Sequence, residues 1–364
     1  MRRVGLALIP LYAIALAFGV AALLLLSAGI DPGSALSALT KSAVGSKFAL
    51  GDTISHATPL LFTAVAAAFA FRAGVYNIGA EGQLYIGALA GAAVAINVTG
   101  VPRPLLIGLC FVVSAIGGAA WALLAALAKV YRGTNEIMST LLLNFIGINV
   151  VAYFVARGYG PMHGEGVTFA GSDYIQQDAH MPTLIPGAQA NAALLIGVAI
   201  ALAVAFVMAR TTLGFQIRAS GLNPVAARYA GHAQRSLVIT TMAVSGAIAG
   251  LAGTAVILSQ TFLLGANLSP PPGWGYVGIA VALLGRLRPI PIIAAALFFG
   301  ALEAGAQGMQ LETSTPASIS LIIESTTIVF VMVGAVVSLA LTRRRALAKT
   351  RDRVQALTEE GSPA

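Results

Sequence analysis

Long apolar runs broken by short charged ones organise this chain. A helix needs about 20 mostly apolar residues to cross hydrocarbon. Such runs fall at 4–28, 57–71, 83–101, 104–128, 136–156, 191–209, 237–259, 274–285, 289–308 and 317–342. They predict an all-α polytopic membrane protein with about ten transmembrane helices. The helices form a single transmembrane domain, 1–342, followed by a basic, polar tail, 343–364. The second and eighth runs are short, and the eighth reads as a broken helix or one that begins earlier. Residues 29–56 and 157–190 read as outside loops, and 210–236 as the longest inside segment.

Composition agrees with the pattern. The chain is 58% hydrophobic and 9% charged, with mean hydropathy +0.87, whereas a soluble domain carries about 25% charged residues. The net charge of +8 acquires a meaning once the basic residues are placed. With the N-terminus in the cytoplasm, only Lys41, Lys47, Arg103 and Arg157 fall outside, leaving 17 of the 21 lysines and arginines inside. The positive-inside rule predicts that skew, so the expected topology is N-in/C-in, and a nucleic-acid surface is not expected. The opening MRR precedes 27 uncharged residues, Val4 to Ile30. That is longer than a signal-peptide core, so the segment is read as a retained first span. Spans 2–5 and 7–10 run in opposite senses, which allows an inverted repeat. The lone Cys110 lies in an apolar run and reads as a small core residue.

Against this background the stretch from Phe71 to Gly87, FRAGVYNIGAEGQLYIG, stands out. Polar groups are costly in hydrocarbon, and an intramembrane carboxylate faces a cavity or a partner by default. The candidate solute-path residues are Tyr76, Asn77, Glu81, Gln83 and Tyr85 here, with Trp274 and Glu303 later in the chain. The tyrosines offer flat faces and the amides offer hydrogen bonds, a mixture suited to a flat polar ring. The competing reading is tight glycine packing around one buried hydrogen bond. Trp274 equally reads as an interfacial anchor, and Glu303 and Glu324 equally as helix-to-helix hydrogen-bonding groups. Glu136 reads as complementing a helix N-terminus. Small residues at 87–95, 114–126 and 245–253 predict close helix contacts.

The inside segment 210–236 contains a short helix signal. Asn223 suits an N-cap, Pro224 the first helical position, and Gly231 a left-handed C-terminal cap. Two roles stand beside each other for it: a docking element for another subunit, and an interfacial helix resting on lipid headgroups.

Enzymatic and metal motifs are missing from the sequence. There is no GxxxxGK[ST] phosphate loop, no HExxH, no CxxC and no GxSxG, and His56, His163, His180 and His232 have no metal-ligand spacing. Neither catalysis nor a bound metal or cofactor is expected of this chain. An ion-coupled secondary transporter that uses the buried carboxylates remains a rival reading.

Four segments carry a resemblance: GVYNIGAEGQLYIGA at 74–88, GTNEIMSTLLLNFIG at 133–147, IRASGLNPVAARYAG at 217–231 and GIAVALLGRLRP at 278–289. Together they resemble permease subunits of ABC importers, in the branched-chain amino acid and simple-sugar permease superfamily and its nucleoside-type branch. The likeness covers about 57–342 and implies a translocation path for a small polar solute: a nucleoside first, a simple sugar or other small solute as the alternative. It further implies a second, usually paralogous permease, cytoplasmic subunits that hydrolyse ATP, an extracytoplasmic solute-binding protein, and a bacterial inner membrane. By the same resemblance Arg218, Gly221, Asn223, Pro224, Ala226, Ala227, Arg228 and Tyr229 fall where such permeases couple to the ATPase. Asn77, Glu81 and Gln83 fall in the path motif. His232 departs from the aliphatic residue of the common pattern.

Overall fold

The computed structural model of the chain describes residues 9–157, 171–313, 315–316, 318–330, 332–334, 336–337 and 341. The expected tail, the start of the first span and residues 158–170 of the 157–190 loop lie outside the described residues. The described chain is helical, with only two isolated bridges, Gly171 to Gly265 and Thr183 to Asn191, in extended conformation. It divides into two compact units, 1–32 with 316–364, and Gly33–Thr315. The first contains α1 (Ile9–Ser27) and an apolar helix through 318–334 that carries Glu324.

The second unit holds α2 (Pro32–Val44, starting at its border), α3 (Lys47–Arg72), α4 (Ala80–Asn97), α5 (Arg103–Arg132), α6 (Glu136–Arg157), α7 (Ala193–Arg210), α8 (Thr212–Leu222), α9 (Pro224–Tyr229), α10 (Gln234–Val256), α11 (Trp274–Leu284) and α12 (Pro289–Thr313). Helices α3, α5, α6, α7, α10 with its following turn, and α12 are long and apolar enough to cross a membrane. The protein is therefore a multi-pass membrane protein. Helix α4 begins with Glu81 and Gln83, which lowers its hydropathy. Helix α11 has 11 residues, about 16 Å of rise, half a bilayer core.

One expectation is corrected here. Residues 47–56, read as part of an outside loop, are the first turns of α3, which is 26 residues long and N-capped by Ser46. Polar Asp52, Thr53, Ser55 and His56, followed by Pro59, interrupt the apolar run without interrupting the helix. Two hydroxyls find internal acceptors: Thr53 donates to the Ala43 carbonyl at 2.7 Å and Thr58 to that of Ile54 at 2.7 Å. Pro59 has no N–H for the carbonyl four residues earlier. That carbonyl, Ser55, accepts instead from the Gln260 amide at 2.9 Å. Gln260 sits in a single π-turn, Ile257–Thr261, that extends α10.

Helix α10 is the axis of the unit and packs on α3, α4 and α5. Its small residues allow the contact. A methyl group on Gly87 would overlap the Gly250 backbone, and one on Gly118 would lie 2.8 Å from the Gly250 Cα. Hydroxyls lock the approach: Ser114 donates to the Gly250 carbonyl at 2.7 Å and Ser245 to that of Ala66 at 2.8 Å. In hydrocarbon such contacts replace the hydrophobic driving force that helices have in water.

The described part of the 157–190 loop is tied down. Ser172, Ile175 and Met181 donate backbone N–H groups to the carbonyls of Leu264, Phe262 and Leu258. The Gln176 amide lies 3.0 Å from the terminal carbonyls of Ala95 and Ile96 in α4. Helix ends leave such carbonyls without partners, and this loop supplies one.

Candidate functional site

The site begins where α3 ends. Gly74 takes a left-handed φ of 74°, and Val75 reaches back to the Ala70 carbonyl. The chain then runs alongside α3 in non-helical conformation to Gly79 before α4 starts. Helix α3 serves as a ruler for depth. Asn77 reaches Ser245, which bonds Ala66. The neighbouring Trp274 carbonyl accepts from Thr63 at 3.0 Å. Thr63 lies nine residues before Arg72, about 14 Å of helix. Both α4 and α11 therefore start well inside the span of α3.

Those two starts meet at Glu81. Its Oε2 accepts the Gly275 N–H at 2.6 Å. The carboxylate thus belongs to the first turn of α4 and caps the first turn of α11, so two helix N-termini direct partial positive charge at it. Glycine is required at the contact. A Cβ on Gly275 would lie 2.6 Å from the Glu81 Cα, and Gly273 has φ of 105° with Glu81 Cδ 3.0 Å from where its Cβ would be. Ser269 completes the cluster: its hydroxyl accepts from the Trp274 N–H at 2.8 Å, and its own N–H donates to the Tyr85 hydroxyl at 3.1 Å.

An amide cluster adjoins it. Asn77 and Gln83 exchange two hydrogen bonds of 3.0 Å, and Asn77 also donates to Ser245 at 2.9 Å and accepts from Gly79 at 2.9 Å. Asn144 of α6 accepts from Gly82, and donates to the Ile78 carbonyl and the Tyr276 hydroxyl, all at 2.9–3.0 Å. Thr140 accepts the Ile78 N–H at 3.2 Å.

Of the expected path residues, the structure unites Glu81, Tyr85 and Trp274 in one cluster and Asn77 and Gln83 in the next. All five are buried, with Glu81 3% exposed. Among the described residues the Trp274 indole N–H is buried without a hydrogen-bond partner. Tyr76 stands apart, 48% exposed, edge-on to Phe71. Glu303 is also apart: it pairs with His56 Nδ1 at 3.2 Å, and His56 is seven residues, about 10 Å, further along α3 than Thr63. Glu136 pairs with Lys129. The sequence reading missed Asn144, Ser245 and Ser269. Asn144 had a signal, an amide in an otherwise apolar span, whereas serines bury too cheaply to stand out.

The 210–236 segment is the second centre. Asn223 Oδ1 accepts from Val225 and Ala226 at 3.1 and 3.0 Å, and Pro224 takes the first helical position of α9. The left-handed Gly231, with φ of 85°, lets His232 close back onto the Ala227 carbonyl at 3.1 Å. Asn223, Pro224, Ala226 and Arg228 are exposed. Ala227 is 4% exposed and faces inward, so of the two alanines that the resemblance places at the coupling surface only Ala226 is presented. Leu222 and Tyr229 are 89% and 90% exposed, with Val225 between them. Gly221 packs on the Arg72 carbonyl, with the Gly221 Cα 3.5 Å from where a Gly74 Cβ would be. Arg218 lies on the same helix, beside Arg72. The segment thus touches the chain that leads to Glu81.

Comparison with known proteins adds to this geometry. Residues 49–342 match the family described as branched-chain amino acid transport system, permease component. The chain is 33% identical to the glucose ABC transporter permease protein TsgB13 of Haloferax volcanii, over 89% of this chain and 86% of that protein. It is 32% identical to the guanosine ABC transporter permease protein NupP of Bacillus subtilis, over 91% and 94%. It is 31% identical to the nucleoside ABC transporter permease protein NupB of Lactococcus lactis, over 93% and 94%.

Proposed function

This chain belongs to the permease-component family of branched-chain amino acid transport systems, and from that membership we infer that it forms the translocation path of an ATP-driven importer for a nucleoside. The observation that carries the solute is the similarity to two permeases named for guanosine and nucleosides, over 94% of each. A simple sugar is the second reading, because a glucose permease is similar to the same degree.

About ten helices cross a bacterial inner membrane with both termini in the cytoplasm, supported by 17 of 21 basic residues on that side. The α8–α9 segment then faces the cytoplasm. Exposed Leu222, Val225 and Tyr229 give cytoplasmic ATP-binding subunits an apolar strip to grip. ATP is hydrolysed there and not by this chain. A paralogous second permease closes the path, and an extracytoplasmic binding protein delivers the solute.

Motion of α9 reaches the path through Gly221, which is seated on the end of α3. The 73–79 segment hangs from that end, and Glu81 and the α11 start follow it. With Asn77, Glu81, Gln83, Tyr85 and Trp274 all buried, the described conformation is shut at this level. Opening exchanges internal hydrogen bonds of the amides and the unpaired Trp274 indole for contacts with the solute. The test is uptake of radiolabelled guanosine by proteoliposomes containing this chain and its copurifying subunits. ATP-dependent uptake blocked by excess nucleoside supports the reading. Competition by glucose alone moves the solute to the sugar reading, and ion-driven uptake without ATP sinks the class.

A further inference from the structure

Three arginines converge at one end of the bundle without a carboxylate among them. Arg72 ends α3, Arg218 lies on α8, and Arg288 precedes α12. Arg218 and Arg288 both act electrostatically on Arg72, and among the described residues none of the three forms an ion pair. They line a cavity of about 590 Å³ whose remaining wall is apolar, including Ala205, Met208 and Ile290. Like charges held this close repel, and nothing in the fold of the described residues compensates them. The turn that positions Arg288 carries two consecutive non-glycine residues, Arg286 and Leu287, with left-handed φ of 54° and 55°. Backbone held in such conformations clusters at ligand sites.

The cavity lies where the apolar helices end. Arg72 is the last residue of α3, and Met208 and Ala209 are in the last turn of α7. Along α7 the exposed Ala209, Phe206 and Leu202 follow at helical spacing, away from the arginines and toward the middle of that helix. A charged pocket at the helix ends that opens on an apolar track fits one ligand shape: a phosphate head with acyl chains. Basic pockets between transmembrane helices bind anionic lipid headgroups for this reason, and guanidinium groups match phosphate oxygens bidentately.

We propose that Arg72, Arg218 and Arg288 form a binding site for the phosphate of an anionic phospholipid, whose acyl chains lie along α7. The site needs only a membrane-embedded chain and is independent of the solute assigned above. It joins α3, α8 and α12 at the point where Gly221 transmits the motion of the coupling segment, so the lipid is a structural member of that joint.

The test is native mass spectrometry of the detergent-purified full-length chain with its copurifying subunits, titrated with phosphatidylglycerol, phosphatidylcholine or inorganic phosphate. Phosphatidylglycerol should be retained in preference to phosphatidylcholine, and each of Arg72→Gln and Arg288→Gln should weaken retention about tenfold, the size expected for one charged hydrogen bond. Arg288→Lys should fall between, since it keeps charge but loses the fork. Lys41→Gln, whose partner is Glu312 at 3.3 Å, should change nothing. Elution volumes matching the wild type confirm that the variants fold. Equal retention of both lipids, retention insensitive to the arginine variants, or displacement of the lipid by millimolar phosphate overturns the proposal. So does a crosslink from Arg288 to an acidic segment of the ATP-binding subunit in place of lipid.

Discussion

Replacing Glu81 separates two roles that the geometry distinguishes. In Glu81→Ala the Gly275 N–H, in the first turn of α11 and buried, loses its acceptor. An unsatisfied buried donor costs about 1–3 kcal/mol. The attraction of the carboxylate to two helix N-termini and the cost of burying its charge oppose each other, so the orphaned donor sets the scale and Glu81→Ala should cost about 1–3 kcal/mol. Glu81→Gln keeps the carbonyl that accepts from Gly275 and should cost clearly less. For a unit of this size 1 kcal/mol shifts the melting temperature by about 2–4 °C. The expected shift is about 2–12 °C for alanine, with glutamine always the smaller.

The assay is a thermal-shift series on the purified complex beside initial uptake rates over a range of solute concentrations. A bracing carboxylate predicts a falling maximal rate, a KM close to wild type and a stability order of wild type, glutamine, alanine. Gly275→Ala should follow Glu81→Ala, because its Cβ would press on the Glu81 backbone at 2.6 Å. If both Glu81 variants melt like the wild type while KM rises tenfold, the carboxylate is a solute ligand and the brace is refuted.

Three further outcomes follow from the packing. Leu222→Asp and Tyr229→Asp place charge on the exposed strip of α8 and α9; they should abolish copurification of the ATP-binding subunit while the stability of the isolated permease stays within about 0.5 kcal/mol of wild type, and a subunit that still copurifies argues against docking there. Gly250→Leu inserts a side chain where Gly118 and Gly87 already touch, and overpacking of at least 1–3 kcal/mol should show as lost monodispersity in gel filtration. Gln260→Ala leaves the Ser55 carbonyl without its donor and should cost about 1–3 kcal/mol; in a Pro59→Ala background, where the helix can supply its own N–H, the same substitution should cost clearly less, and an equal cost in both backgrounds would show that Gln260 acts elsewhere.

The apolar runs made the helices legible because the bilayer leaves the backbone little choice. Among the described residues six helices are long and apolar enough to cross a membrane, and the α9 cap reads straight from Asn223, Pro224 and Gly231. Two features escaped. The first ten residues of α3 hide behind Asp52, Ser55, His56 and Pro59, since hydropathy sums side chains and cannot register that Thr53, Thr58 and Gln260 satisfy the polar groups internally. The inward direction of Ala227 also escaped, because a six-residue helix is too short for its buried face to appear as a period.

The polar stretch at 71–87 was legible as unusual but not as a structure. Its partners come from far away in the chain: Ser245 from α10, Asn144 from α6, Gly275 from α11. Sequence spacing carries no trace of such pairs. What the contacts change is the meaning of the glycines. Gly273 and Gly275 let the starts of α4 and α11 close on one carboxylate, and Gly221 seats the α8–α9 segment on the end of α3. The 210–236 segment meets the end of α3 through the Gly221–Arg72 backbone contact, and α4 meets α11 through the Glu81 carboxylate. Any substitution that adds a side chain at Gly221 or Gly275 meets backbone there and should therefore lower the melting temperature and the transport rate together.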